Sequence, residues 1–164
     1  MHPSPVTHSY LSLFGWIAGT SLAATSGAAT AKSAAEFYGS LELPRWAPPA
    51  WLFGPAWSIL YLLMATAAWR VWGIAGFDGA RVELTLYAVQ LVLNAAWSWF
   101  FFVRRSGLGS TIEVSLLWIS ILLTMLWFLA RDPIAGLLFV PYLMWVSFAM
   151  ALTVAVWCRN PTRL

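Results

Sequence analysis

Cysteine, histidine and charge are all scarce in this chain. Cys158 is the single cysteine, which excludes an intrachain disulfide and a thiolate metal cluster and leaves the redox compartment unread. His2 and His8 are the two histidines. Both lie in the N-terminal tail and read as tail residues, so no metal site is expected. Charged residues are 9% of the chain and hydrophobic ones 61%, whereas about a quarter of a soluble domain is charged. A water-soluble core cannot hide that much apolar surface. Within the apolar runs there is no pair of carboxylates, no basic residue near a centre and no nucleophile beside a base, which gives proton-coupled transport, voltage sensing, metal catalysis and nucleophilic catalysis little footing. The formal charge of +3 comes from basic residues in loops and at helix ends, where membrane orientation explains them and nucleic acid is not implied.

Long apolar runs are what the chain has instead. Broken at its charges, glycines and prolines, it leaves runs near residues 9 to 31, 49 to 73, 82 to 103, 108 to 130 and 134 to 158, each long enough to span a bilayer. The expectation is a single all-α domain over residues 1 to 164, an integral membrane bundle of five spans. The first run is rich in Ser, Thr, Gly and Ala. A cleaved signal peptide is its alternative reading, but the basic n-region is missing. Gly15, Gly19, Ala23, Gly27 and Ala31 recur every fourth residue and suit close helix approach. With five spans, Lys32, Arg45, Arg104, Arg105, Arg159 and Arg163 share the C-terminal side, whereas only Arg70, Arg81 and Arg131 lie opposite. The positive-inside rule then puts the C-terminus in the cytoplasm. A bacterial cell membrane is the expected location, with the outer membrane of a bacterium or mitochondrion as the alternative. The connection over residues 32 to 48 is rich in aromatics and proline, which suits a stiff lid folded over the bundle. No internal repeat is apparent, so the inverted-repeat layout of many transporters is not supported.

The second abundance is tryptophan, with twelve residues. Trp16, Trp69, Trp72, Trp127 and Trp157 lie toward span ends, as an interfacial belt requires. Trp57 and Trp145 lie deeper, where an indole N–H needs a partner, and read as pocket walls or core packing. Tyr87, Gln90, Asn94, Trp97 and Phe101 follow at steps of three and four and share one helical face. Amides in mid-membrane must face the bundle, either as interhelical glue or aimed at a bound polar group. Pro141 predicts a kink in the fifth span, with Tyr142 and Trp145 following on its inner side. Glu113, near the start of the fourth span, is expected to reach the interface or an Arg of the preceding loop. These features describe a flat, aromatic, nearly uncharged pocket suited to a large planar apolar ligand.

These residues carry a resemblance to the TspO and translocator protein family, also called tryptophan-rich sensory proteins or peripheral benzodiazepine receptors. Its most specific part is Phe37 to Met64, FYGSLELPRWAPPAWLFGPAWSILYLLM, in which Tyr38, Leu41, Pro44, Trp46, Pro48, Pro49, Trp51, Phe53, Trp57, Tyr61 and Met64 fall at the family's spacing. Ala68 to Val71, then Tyr87, Gln90, Asn94, Trp97 and Phe101, then Leu138, Pro141, Tyr142, Trp145 and Ala149 agree as well. The resemblance implies a five-helix bundle, often homodimeric, whose cavity binds protoporphyrin IX, haem and benzodiazepine-site ligands under a roof made by the first loop. It implies ligand-binding roles for Tyr38, Trp46, Trp57, Asn94, Tyr142 and Trp145; Gln90 and Trp97, from the shared helical face above, and Tyr61, from the family-spaced run, complete the expected ligand-binding set. It further implies light- and oxygen-dependent porphyrin breakdown at Trp57 and Trp145, with no obligatory cofactor. An enzymatic label goes no further than that reaction. Phe37 stands where the family usually has tryptophan, Thr153 replaces a usual asparagine, and Val154 breaks the sterol motif of the animal proteins. The leading expectation is a tetrapyrrole receptor or sensor. The alternatives are a transporter of porphyrins or other amphipathic solutes and a structural membrane protein that regulates partners.

Overall fold

The computed structural model describes residues 10–28 and 31–164, with side chains described for 10–22 and 34–164. Helix α1 runs Tyr10–Ala28, α2 Ala31–Gly39, α3 Phe53–Gly79, α4 Arg81–Ser98, α5 Gly107–Arg131, α6 Pro133–Leu137 and α7 Val140–Arg159. A 3-10 turn, Ala50–Leu52, leads into α3, and a π turn, Trp99–Val103, extends α4. No strand occurs among the described residues. Four stretches, Ala50–Gly79, Arg81–Val103, Gly107–Arg131 and Pro133–Arg159, are long and apolar enough to cross a membrane. The 19-residue α1 lies outside that group of four, and it packs along α3 and α4 in the place expected of the first span. The protein is an all-α, multi-pass membrane bundle.

Polarity in this bundle is inverted, because lipid rather than water is the solvent outside. On α5, Ile112, Leu116, Ile119, Leu123 and Leu126 are exposed, whereas Ser110, Glu113, Ser120 and Thr124 are buried. Spacing of three and four places each set on its own face. The same rule orients α1: Tyr10, Leu11, Phe14 and Leu22 face outward, and buried Thr20 shares a 2.6 Å hydrogen bond with the hydroxyl of Tyr87. Gly15 and Gly19, read as part of a close-packing strip, have nothing within 4 Å of where a Cβ would stand. The side chains of Ala23, Gly27 and Ala31 lie outside the described residues, as do His2 and His8.

Three boundaries differ from expectation. The connection after α1 is not all loop, because α2 occupies Ala31–Gly39. Helix α3 does not end near residue 73 but runs to Gly79, turning at Gly76, whose φ of 66° suits glycine and strains other residues. Pro141 does not kink a continuous helix. The chain instead breaks between α6 and α7, and Pro141 sits in the first turn of α7, where its missing N–H costs no helical bond.

The end of the bundle farthest from the lid is fastened by ions. Arg70 on α3 donates Nε to the Asp132 carboxylate at 2.6 Å, and Asp132 caps α6 through the N–H of Ile134. Arg131 closes α5 onto Glu83 at 2.7 Å and onto the Gly79 carbonyl at 2.9 Å. Two of the three basic residues on that side are therefore engaged with buried carboxylates.

Candidate functional site

A cavity of about 500 Å³ lies under the lid, a size in the range of small-molecule pockets. Helix α2 supplies Ala34, Ala35 and Tyr38; the first turns of α3 supply Phe53, Gly54, Trp57, Ser58 and Tyr61; α4 and its π turn supply Asn94, Trp97, Ser98 and Phe102. Trp51, largely exposed, stands with Ala50 at the rim. No charged side chain lines the space. The wall is built on helices, and the aromatic residues recur at helical spacing on α3, so Trp57 and Tyr61 stack with ring centroids 5.6 Å apart.

Behind the aromatic wall runs a buried hydrogen-bonded chain. The Tyr61 hydroxyl donates to Asn94 Oδ1 at 2.8 Å, and Asn94 Nδ2 donates to the Tyr142 hydroxyl at 2.9 Å. Tyr142 is fully buried and meets Trp57 edge-on at 6.0 Å. One amide thus ties α3, α4 and α7 together and fixes the tilt of the Trp57 ring. Asn94 acts as interhelical glue and as cavity wall at once.

The lid is held from outside. The Tyr38 hydroxyl donates to the Pro48 carbonyl at 3.1 Å, and burial pushes this phenol above its ordinary value, so it stays a neutral donor. Asn160, at the end of α7, pairs with both backbone groups of Glu42: the Glu42 N–H donates to Oδ1 at 2.9 Å and Nδ2 donates to the Glu42 carbonyl at 3.1 Å. Arg163 donates to the Ser40 carbonyl and, at 3.0 Å, to its hydroxyl. Arg105 lies 4.4 Å over the ring of Phe37 and takes a φ of 49° to do so, a left-handed backbone uncommon outside glycine. The anchors through Asn160, Arg163 and Arg105 were not foreseen from the sequence. Only the polar character of Asn160 beside an apolar span hinted at one.

The TspO/MBR family profile matches residues 14–158. The chain is 44% identical over 133 residues to the tryptophan-rich protein TspO of Chlorobaculum tepidum, covering 80% of this chain and 84% of that one. It is 43% identical to protein CrtK of Rhodobacter capsulatus, with 76% and 79% of the two chains covered. It is 36% identical to the translocator protein of Homo sapiens, with 76% and 75% covered. The chain belongs to the TspO/MBR family.

Of the residues that the sequence assigned to a binding pocket, Tyr38, Trp57, Tyr61, Asn94 and Trp97 line one cavity here. Tyr142 is one shell behind, bonded to Asn94. Trp145 does not line the cavity; its ring packs edge-on against Phe53 at 5.9 Å, and Phe53 forms the wall. Trp46 is half-exposed, packs on Phe148 of α7 at 5.7 Å and does not line the cavity. Gln90 is fully buried beyond the cavity wall. Glu113, expected at the interface or on a loop arginine, is instead buried with neither carboxyl oxygen hydrogen-bonded. Among the described residues there is no cluster of metal-ligating side chains.

Proposed function

We propose that this TspO/MBR protein is a membrane receptor or sensor for tetrapyrroles such as protoporphyrin IX or haem, and that benzodiazepine-site ligands share the same cavity. The observation that carries the reading is the cavity itself: about 500 Å³, uncharged and walled by Trp57, Tyr61, Trp97 and Phe53. Flat aromatic walls favour a planar apolar ligand through offset stacking. The lack of cations in the wall requires the acidic edge of a porphyrin to face the open rim near Trp51. In this reading Trp57 contacts the macrocycle, and Trp145 stands behind Phe53. An excited porphyrin in contact with Trp57 would be quenched there, and any light-dependent breakdown would begin with that indole. The resemblance supports a homodimer as the working form. The excess of basic residues on the C-terminal side supports a cytoplasmic C-terminus and a rim that opens toward the cytoplasm.

Purified protein should show saturable quenching of tryptophan fluorescence on addition of protoporphyrin IX. The Trp57→Phe, Trp145→Phe protein should lose most of the light-dependent porphyrin loss. If both quenching and photochemical loss stay unchanged in that protein, the pocket assignment is wrong. Ligand flux into sealed vesicles would favour a transporter over a receptor with the same cavity.

A further inference from the structure

Most of the buried polar side-chain atoms without partners belong to two neighbouring helices, α4 and α5. Seven buried side-chain polar atoms lack a hydrogen-bond partner among the described residues. Six of them belong to four residues: both amide atoms of Gln90, Nε1 of Trp97, Oγ of Ser120 and both carboxyl oxygens of Glu113. The seventh is Nε1 of Trp145. Gln90 and Trp97 are on α4; Ser120 and Glu113 are on α5. The register between these helices is pinned by Glu83 on Arg131 at 2.7 Å and by Tyr87 stacked on Phe128 at 6.3 Å. Antiparallel steps of one turn then set Gln90 opposite Thr124, Asn94 opposite Ser120 and Trp97 opposite Leu117. Glu113 follows one turn on, beside the π turn that widens the end of α4. The levels of Gln90 and Glu113 are roughly 16 Å apart at 1.5 Å per residue.

Each of these groups is at least nine-tenths buried, and a buried polar group left dry loses its hydration without return. Together they offer donors and acceptors of both kinds, which bridging water requires. The chain's other carboxylates are accounted for. Glu83 and Asp132 pair with arginines, and Glu36, Glu42 and Asp78 are exposed. Among the described residues Glu113 forms no ion pair. An uncompensated carboxylate in this setting is prohibitive, so Glu113 sits there as the neutral acid. At the other side of the seam, Trp97 is also part of the cavity wall.

We propose that the α4–α5 seam is an internal hydration site, in which a chain of ordered water joins Gln90, Ser120 and the Glu113 carboxyl and meets the cavity at Trp97. Glu113 then exchanges its proton with the cavity, which gains a protonatable group without a charge in its wall. This follows from the seam's geometry and does not depend on which ligand fills the cavity.

Infrared spectroscopy of the full-length protein in lipid tests it. The neutral-acid C=O band is assigned to glutamate by ¹³C-glutamate labelling of the unmutated protein and to Glu113 by its loss in Glu113→Gln. The expected result is a deuterium shift of that band within seconds of transfer to heavy water, slowed at least tenfold in Ser98→Phe, which fills the cavity beside Trp97. Gln90→Leu and Ser120→Ala should each lower the unfolding temperature, because the water loses a partner. A dry seam gives the opposite sign, since an apolar isostere then removes an unpaired group. A band that stays unshifted for hours, no neutral-acid band at pH 7, or a raised unfolding temperature in both variants overturns the proposal. Exchange unaffected by Ser98→Phe overturns the link to the cavity.

Discussion

At the scale of single residues, Asn94 has the largest share of the site. Its amide is satisfied on both sides, by Tyr61 and by Tyr142, so removing it strands two phenols, one of them fully buried. Asn94→Leu should lower stability by about 1–3 kcal/mol, the cost of leaving a buried donor or acceptor unmade. Adding Tyr142→Phe should recover part of that loss, because an apolar pair of similar shape needs no partner. Thermal unfolding of the two proteins in the same detergent checks both signs. Helical spacing made Asn94 and Trp97 legible as inward residues, since period and polarity decide which face avoids lipid, whereas Trp57 was legible from its depth in the span and Tyr61 only from the family-spaced run. Trp145 was less legible. Its depth was right, but whether its ring or that of Phe53 reaches the cavity depends on how α7 leans on α3, which no local pattern encodes.

At the scale of elements, the two ends of the bundle are fastened differently. At the α6 end, burial pushes the Asp132 carboxyl up, but its bonds to Arg70 and to the N–H groups of Ile134 and Ala135 outweigh that and hold it below its ordinary value. A lowered carboxyl pKa stabilises the fold fully above the unfolded value of about 3.9, and the contribution disappears as pH falls through the folded value. Asp132→Asn should therefore unfold at a lower temperature than the parent at pH 7, with the gap narrowing toward pH 3. At the lid end the fastening involves no ion pair and is distant in sequence, with Asn160 pairing to Glu42 across 118 residues and Arg163 and Arg105 bound to a backbone carbonyl and a ring. Asn160→Ala should raise amide hydrogen exchange over residues 40–45 on the order of tenfold or more while leaving α5 protected, as expected for local rather than global opening. Such long-range pairs are invisible to periodicity, as was the helix within the lid. Pro141 was read as a kink for the same reason. Sequence shows that a proline interrupts the ladder, and only packing shows whether the helix bends or restarts.

At the scale of the whole molecule, the four apolar stretches and α1 make a bundle whose outside is chosen by lipid and whose inside collects what lipid rejects. The polar inside is divided in two: an aromatic cavity under the lid and a seam of amide, hydroxyl and carboxyl groups beyond its wall. Membership of the TspO/MBR family and the membrane fold were both readable from residue spacing, because spans and tryptophan positions are local in sequence. The shape of the cavity was not, because it is set by the meeting of α2, α3 and α4. The central claim is that this cavity receives a tetrapyrrole against Trp57. A crystal structure of the complex with protoporphyrin IX decides it. The macrocycle is expected stacked on Trp57 beneath Tyr38, with its carboxylates toward the rim at Trp51. A macrocycle bound on the outer face of α4, with the space beside Trp57 filled by lipid, would contradict it.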